Sequence, residues 1–150
     1  MNIGILGAGN IAGSMARTIC GMAAQGRPVT LYAVASRSQE KADAFAKAYG
    51  IPRAYGSYAA MLNDPLVELV YIATPHSHHA EQICQCVAAG KPVLCEKSFT
   101  ANAKQAEEVL QEAEAAGVYV AEAIWTRYMP ARGMIADIIA SGEIGEPRFL

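Results

Sequence analysis

The sequence has few charged residues and almost no excess of either sign. Only 17% of its 150 residues are charged, and the formal net charge is −2. The chain therefore lacks the basic field that attracts nucleic acid or an anionic membrane, and we expect neither partner. It also lacks an apolar run near the ~20 residues that span a bilayer, and its N-terminus does not resemble a signal peptide. These absences make a cytoplasmic protein the default expectation.

Cysteine is scarce as well. The spacing of the four cysteines is not that of a disulfide framework. Two of them, Cys84 and Cys86, would point to different faces of a predicted helix. A zinc site would normally require a second pair elsewhere. We expect free, buried thiols in a reducing compartment; the four are Cys20, Cys84, Cys86 and Cys95.

Apolar residues make up 53% of the chain, enough for one folded domain with a sizeable core. Short apolar runs alternate with helical patterns, which predicts an α/β fold: a Rossmann-like, doubly wound parallel sheet. The predicted strands are Asn2–Leu6, Val29–Ala35, Arg53–Tyr55, Leu69–Ala73, Val93–Cys95 and Val118–Glu122. The predicted helices are Asn10–Ala24, Gln39–Ala48, Ser57–Leu62, His79–Ala89, Ala103–Ala116 and Pro130–Ser141.

A glycine-rich turn follows the first predicted strand. Its residues are Gly7-Ala8-Gly9-Asn10-Ile11-Ala12, a G-x-G-x-x-A pattern. Gly7 permits a tight turn, Gly9 lets the backbone approach a pyrophosphate, and Ala12 lets the helix pack closely on the strand. The helix that starts near Asn10 points free N–H groups and its positive dipole end at the same place. This context predicts a dinucleotide site rather than a helix entry that is glycine-rich by coincidence.

The second predicted strand ends without the carboxylate that usually binds the ribose hydroxyls of NAD. It leads into Ser36 and Arg37, with Lys41 one helical turn further on. A hydroxyl and two cations suit the 2′-phosphate of NADP, which we predict as the cofactor, with NAD as an open alternative. The competing interpretation makes Ser36 a helix cap and Arg37 a solvated surface charge.

Three histidines, His76, His78 and His79, follow the fourth predicted strand. They lie at the carboxyl edge of the sheet, where ligands bind in this class of fold. His76 and His79 could share a helix face, but no carboxylate or cysteine completes a metal site nearby. We therefore predict no metal, and favour helix capping or loop packing for these histidines.

Glu96 and Lys97 follow the fifth predicted strand at the same edge. An ammonium group there could hydrogen-bond a substrate oxygen as its charge changes during hydride transfer. Glu96 would then help to position Lys97. An ordinary surface pair of the two side chains is the alternative.

Together these features resemble the Gfo/Idh/MocA family of NAD(P)-dependent oxidoreductases, over the whole chain as the family's N-terminal cofactor domain. The resemblance rests on the glycine motif, Ser36-Arg37, Ala73-Thr74-Pro75 with His79, and Glu96-Lys97. Residues 122–130 are similar to the branch with dimeric dihydrodiol dehydrogenases and NADP-dependent sugar dehydrogenases. The predicted cofactor contacts are Gly7, Ala8, Gly9, Asn10, Ile11, Ala12, Ser36, Arg37, Lys41, Ala73, Thr74, Pro75, His76, His79, Glu96, Lys97, Trp125 and Arg127.

The resemblance also implies individual roles. Lys97 would be the catalytic residue that orients and polarises the substrate oxygen, and a His or Tyr of a second domain would complete the acid–base pair. Trp125 and Arg127 would approach the nicotinamide and the phosphates; an aromatic core plug and a helix-flanking charge are the alternatives. The family lysine is normally followed by proline, whereas this chain has Ser98, which removes a restraint on Lys97.

The last residues indicate a longer protein. Residues 141–147 are rich in turn formers, and residues 148–150 look like a strand just beginning. We expect residues 1–122 to form the dinucleotide-binding Rossmann domain, and residues 123–150 to form a connecting helix and the start of a second, α/β substrate domain. The resemblance implies that this domain packs over the nicotinamide and often forms a dimer interface, which suggests a homo-oligomer.

The expected function is hydride transfer between NADP(H) and a secondary alcohol or carbonyl of a sugar, cyclitol or dihydrodiol. The 150 residues alone would catalyse little, because half of the substrate site would be missing. The alternative is a sensor or regulator that binds NAD(P) without turnover.

Overall fold

The computed structural model describes residues 1–148. The strand start predicted at residues 148–150 lies mostly outside the described residues, because only Arg148 of the three is described. Six strands form one sheet in the order β3-β2-β1-β4-β5-β6, and every neighbouring pair is parallel. The strands are β1 (Asn2–Leu6), β2 (Thr30–Ala35), β3 (Arg53–Tyr55), β4 (Leu69–Ile72), β5 (Val93–Cys95) and β6 (Val120–Glu122).

Six α-helices connect or follow the strands, and their bounds lie within one residue of the predicted ones. Side chains of Ser38, Ser57 and Asn102 accept hydrogen bonds at three helix starts, and Gly50 and Gly117 end two helices in the left-handed conformation. These caps explain why the sequence marked the boundaries well. The helices are α1 (Asn10–Ala24), α2 (Gln39–Tyr49), α3 (Tyr58–Leu62), α4 (His79–Ala88), α5 (Ala103–Ala116) and α6 (Pro130–Ser141).

The sheet is covered on both faces, as predicted for strands that read as continuous apolar runs. On one face, Ile5 and Val34 of the sheet pack in one core with Ala16 of α1 and Ala46 of α2. On the other face, strand residues such as Ile72 pack against α3, α4 and α5. The doubly wound α/β fold is therefore confirmed.

Two of the four cysteines are buried, as expected, and all four are free. Burial raises the pKa of the Cys86 thiol to about 12 and raises that of Cys95 further. Cys84 is half-buried. The expectation is wrong for Cys20, which lies on the outer face of α1 and is exposed. Helical spacing alone did not show which face of α1 meets the sheet at that residue.

The C-terminal helix differs from the other five because none of its residues is buried. It exposes Met134, Ile135, Ile138 and Ile139, with between 42% and 64% of each residue accessible. Among residues 1–148, no helix is both long enough and apolar enough to cross a membrane.

Candidate functional site

A groove of about 310 Å³ opens where the strand order reverses, between the carboxyl ends of β1 and β4. In doubly wound folds this reversal point is where ligands bind, because the chain leaves the two strands toward opposite faces. The turns after β1, β2 and β4 form its wall. The lining residues are Gly7, Ala8, Gly9, Ser36, Arg37, Ser38, Lys41, Tyr58, Ala73, Thr74 and Pro75.

Gly7 closes the floor of this groove. Its φ of +105° lies in a region that side chains disfavour. A Cβ atom there would stand 2.9 Å from the carbonyl oxygen of Ala73, closer than van der Waals contact allows. The Gly7 N–H donates to the carbonyl oxygen of Ala35 at 2.8 Å. The first glycine of the motif therefore joins the turns after three strands.

The start of α1 offers uncapped donors to the groove. Gly9 is its N-cap and supplies no side chain, and the first turn contains no acidic residue. The N–H groups of Asn10, Ile11 and Ala12 therefore lack the side-chain acceptor that caps α2, α3 and α5. A Cβ atom at Gly9 would meet nothing within 4 Å, so its absence leaves open space at the helix start. This arrangement fits the pyrophosphate of a dinucleotide.

The turn after β2 brings a cationic wall to the groove. Arg37 and Lys41 are exposed and line it, and Ser36 is buried at its base. The alternative that Ser36 caps α2 is wrong, because the Ser38 hydroxyl oxygen accepts the Lys41 N–H at 3.3 Å. Capping falls to Ser38 since it directly precedes the first helical residue. Among residues 1–148, neither Arg37 nor Lys41 forms a salt bridge, so both cations are available to an anion.

A second cavity of about 230 Å³ adjoins the groove and shares part of its wall. Arg37, Tyr58, Thr74 and Pro75 line both. Burial raises the pKa of the Tyr58 phenol, so its hydroxyl keeps its proton. The remaining lining residues are all polar: His78, Glu81, Gln82 and Gln85.

His79 lies beneath the groove rather than in its wall. Only 1% of it is exposed. Its Nδ1 lies 2.9 Å from the Ser98 carbonyl oxygen, and its Nε2 lies 2.9 Å from the Thr74 carbonyl oxygen. Because carbonyl oxygens only accept, a neutral ring donates to one of them and a doubly protonated ring to both. The ring ties the turn after β4 to the turn after β5, in agreement with the loop-packing interpretation.

The turn that carries Lys97 is held by side chains from three elements. Tyr71 of β4 donates to one Glu96 oxygen, and the other accepts the Lys97 N–H at 3.1 Å. His79 of α4 contacts Ser98, and the Glu122 carboxylate of β6 accepts the Phe99 N–H at 2.8 Å. The Lys97–Ser98 peptide bond is cis. These contacts restrain the turn although proline is absent.

The Lys97 side chain is exposed at the same sheet edge as the glycine turn. Within residues 1–148, neither Glu96 nor any other carboxylate forms a salt bridge with it. The alternative of an ordinary surface ion pair between Lys97 and Glu96 is therefore wrong. Glu96 is instead occupied by Tyr71 and by the backbone, which leaves the ammonium group to solvent or to a ligand.

Trp125 and Arg127 lie on a 3₁₀ turn after β6, away from the walls of the groove. Trp125 is 63% exposed, so it is not a core plug. Arg127 lines a separate, open cavity of about 650 Å³ between β6 and α6. Both side chains are available to a ligand or to further protein.

The structure thus brings nine predicted residues together in the groove: Gly7, Ala8, Gly9, Ser36, Arg37, Lys41, Ala73, Thr74 and Pro75. Asn10 and Ile11 are exposed at the start of α1, whereas Ala12 is fully buried against the sheet. His76 is exposed on the turn after β4. In the part of the chain that the structure describes, no three His, Cys, Asp or Glu side chains converge on a metal position.

Sequence reasoning missed Ser38, Tyr58 and Tyr71. Ser38 and Tyr58 carry no motif, and only the fold brings them to the groove. His78 was expected at this edge of the sheet but not as a cofactor contact, and it lines the second cavity. Tyr71 had a signal: it is a phenol within the buried apolar run Leu69–Ile72, and a buried hydroxyl needs a hydrogen-bond partner.

Comparison with known sequences agrees with this geometry. A profile of the oxidoreductase family Gfo/Idh/MocA, with an NAD-binding Rossmann fold, matches residues 1–123. Trans-1,2-dihydrobenzene-1,2-diol dehydrogenase of Mus musculus is 40% identical over 145 residues, 97% of this chain and 43% of the relative. D-xylose 1-dehydrogenase (NADP(+)) of Hypocrea jecorina is 39% identical, over 95% of this chain and 38% of the relative. Both match the branch that residues 122–130 indicated.

Solved structures agree on the fold. An NAD binding oxidoreductase from Klebsiella pneumoniae superposes with a TM-score of 0.85 and 36% identity, over 98% of this chain and 40% of that chain. A variant 3-ketoreductase from Actinomadura kijaniata, in complex with TDP-benzene and NADP, superposes with a TM-score of 0.88 and 30% identity. The match covers 99% of this chain and 44% of that chain. The chain spans less than half the length of each of these proteins. With a family profile matched over residues 1–123, this chain belongs to the Gfo/Idh/MocA family of oxidoreductases and has its NAD-binding Rossmann fold.

Proposed function

We propose that the protein is an NADP(H)-dependent oxidoreductase that acts on a secondary alcohol or carbonyl of a sugar, cyclitol or dihydrodiol. One observation carries this proposal: an uncapped helix start, two cations and the exposed Lys97 lie at one edge of one sheet. The relatives named for dihydrodiol and D-xylose substrates support the substrate class.

The residues of the groove suit the phosphates of NADP. The N–H groups at the start of α1 would bind the pyrophosphate beside Gly9, and Arg37 with Lys41 would bind the 2′-phosphate. Trp125 and Arg127, on the turn after β6, would approach the nicotinamide and the phosphates. His79 and Ala12 would act from below by holding the turns in place. When bound, NADP(H) supplies the hydride chemistry.

Lys97 would hydrogen-bond the substrate oxygen. An ammonium group stabilises an alkoxide more than a neutral hydroxyl, so it favours the transition state over the ground state. Its backbone is restrained by Tyr71 through Glu96 and by Glu122 through Phe99, while its side chain remains exposed. These contacts therefore hold the backbone of Lys97 in place and leave its ammonium group free to bind the substrate.

We propose the domain division as well. Residues 1–122 would be the dinucleotide-binding domain, and residues 123–150 would lead into a substrate domain. The apolar, unburied face of α6 supports this, because a helix with four exposed Met and Ile side chains gains stability when further protein covers it. Assembly of the protein into a homo-oligomer through that domain is part of the same proposal.

The test is hydride transfer by the complete protein. NADP+ would be supplied with D-xylose or trans-1,2-dihydrobenzene-1,2-diol, and absorbance of the reduced cofactor would be followed. Lys97→Met should lower kcat by about 100-fold or more, since it removes transition-state charge stabilisation. Lys104→Met, on the exposed face of α5, is the matched control and should keep full activity.

Two outcomes would contradict the proposal. Full turnover by Lys97→Met would remove that residue from catalysis. NADP+ binding by the wild type without turnover of either substrate would favour the sensor or regulator instead.

A further inference from the structure

Tyr71 is a polar exception within an apolar half of the core. It is 2% exposed and packs on the α1 face of the sheet among aliphatic residues such as Ile5 and Val34. Phenylalanine would fill the same space without a hydroxyl to satisfy. Burial and the hydrogen bond to Glu96 raise the pKa of Tyr71 far above its ordinary value, so the hydroxyl remains a donor. A buried hydroxyl needs a partner, and its presence here calls for a reason beyond packing.

The partner of that hydroxyl is the carboxylate next to Lys97. Tyr71 donates to Glu96 Oε1, and Glu96 Oε2 accepts the Lys97 N–H at 3.1 Å. The Glu96 N–H still pairs with Ile72 of β4 at 3.0 Å, so Glu96 is the last residue held by the sheet on that side. Lys97 is the first residue beyond this pairing. The Glu96 carboxylate therefore holds the backbone of one residue, Lys97, beyond the last hydrogen bond between β4 and β5.

We propose that Tyr71 is a positioning residue for Lys97, acting through the Glu96 carboxylate. The hydroxyl holds the carboxylate in the orientation that binds the Lys97 amide. That contact sets the direction in which the lysine side chain leaves the sheet. The inference rests on the proposed function, because it assigns Tyr71 to the reaction that Lys97 serves.

A second tyrosine–carboxylate contact in the same sheet provides a matched comparison. Tyr32 of β2 donates to Asp64 at 3.1 Å and packs against the core on the other face. Asp64 accepts also from Tyr55 and from the Leu66 N–H, and none of these residues lines the groove. Tyr32→Phe therefore removes a similar hydroxyl without a link to Lys97.

The experiment compares Tyr71→Phe with Tyr32→Phe in the complete protein, using NADP+ with D-xylose or the dihydrodiol. We expect Tyr71→Phe to lower kcat about tenfold while the Kd for NADP+ changes by less than about twofold. Tyr32→Phe should keep both values within about twofold. Hydrogen exchange of the Lys97 amide should accelerate in Tyr71→Phe only, because that amide loses its oriented acceptor.

The double variant separates positioning from general stability. In a Lys97→Met background, Tyr71→Phe should have no further effect on the residual rate, because the two residues act as one unit. Equal kcat in Tyr71→Phe and Tyr32→Phe, or the same loss with and without Lys97, would overturn the inference. Should Tyr71→Phe not fold, Glu96→Gln serves instead: an NH2 group, which only donates, replaces one of the two acceptor oxygens and faces either the Tyr71 hydroxyl or the Lys97 N–H, and the same loss is expected.

Failure of the proposed function would look different. Lys97→Met would then turn over like the wild type, whatever Tyr71→Phe does, and both proposals would fall together. An inactive Lys97→Met beside a fully active Tyr71→Phe overturns only the role of Tyr71.

Discussion

Gly7 lies against Ala73 so closely that a Cβ atom at Gly7 would stand 2.9 Å from the Ala73 carbonyl oxygen. This contact joins the turns after the two strands between which the sheet order reverses. Gly9, two residues later, has open space within 4 Å and an extended φ of −98°. The two glycines of the motif therefore serve different purposes: Gly7 allows close packing of two turns, and Gly9 leaves open space at the start of α1.

Alanine substitutions should separate these purposes. Gly7→Ala should lower the free energy of unfolding by about 1–3 kcal/mol, because it forces a strained φ and a backbone clash. Gly9→Ala should leave the unfolding midpoint nearly unchanged but weaken NADP(H) binding at least about tenfold, since its methyl group takes the space of the phosphates. Urea unfolding and fluorescence titration measure the two effects.

Gly21→Ala is the control for this pair, because Gly21 lies in α1 with nothing within 4 Å. It should raise stability by about 0.5–1 kcal/mol and leave binding unchanged. Unchanged affinity in Gly9→Ala would contradict the placement of the phosphates.

Arg37 should set the preference for NADPH over NADH. Arg37→Asp replaces a cation in the groove wall with an anion, so the ratio of the two dissociation constants should shift toward NADH by about 10- to 100-fold. Isothermal titration with both cofactors measures the ratio. Arg27→Asp carries the same charge change at an exposed residue after α1 and should leave the ratio unaltered. An equal ratio in wild type and Arg37→Asp would exclude Arg37 from cofactor selection.

His79 should contribute mainly to stability. His79→Leu removes a ring placed between the carbonyl oxygens of Thr74 and Ser98. Loss of the hydrogen bonding between the buried ring and these carbonyl oxygens should lower the free energy of unfolding by about 1–3 kcal/mol. His76→Leu, at an exposed residue of the adjoining turn, should change it by less than about 0.5 kcal/mol. Chemical unfolding tests this, and similar midpoints for the two variants would refute the bridging role.

Asp64 should make stability depend on pH on the acid side. The hydrogen bond from Tyr55 is the main cause that holds the pKa of this carboxyl below its ordinary value of 3.8. A depressed folded-state pKa stabilises the protein above the unfolded value, and that contribution is lost as the pH falls through the folded value. The difference in unfolding free energy between wild type and Asp64→Asn should therefore shrink below about pH 4.

Unfolding in urea at pH 7 and pH 3 measures this difference. Asp137→Asn is the control, because Asp137 lies on α6, where no residue is buried. A gap between wild type and Asp64→Asn that stays constant over this range would contradict the role of Asp64.

Local patterns along the chain were enough to predict most of the helices and strands. The glycine ends of α2 and α5 and the apolar strands are encoded within a few residues, so the elements could be predicted to within two residues. The groove residues followed from the same logic, because parallel strands place their carboxyl ends together.

The hydrogen-bond partners of side chains were harder to predict from the sequence, since they depend on residues that are distant in the chain. The sequence suggested Ser36 as a possible cap, yet Ser38 is the cap. It also allowed a pair between Lys97 and Glu96, whereas Glu96 binds Tyr71, 25 residues away. Helical spacing could not show that Cys20 faces outward.

The amino-acid sequence by itself determined the parallel α/β sheet, the turn between β1 and α1, and the cationic end of β2, because each depends on neighbouring residues and on rules of backbone geometry. Only the tertiary structure decided that His79 is buried as a bridge, that Tyr58 borders both cavities, and that Tyr71 restrains Lys97. These contacts join residues far apart in the chain, and they exist only once packing of the helices on the sheet has fixed the position of every turn.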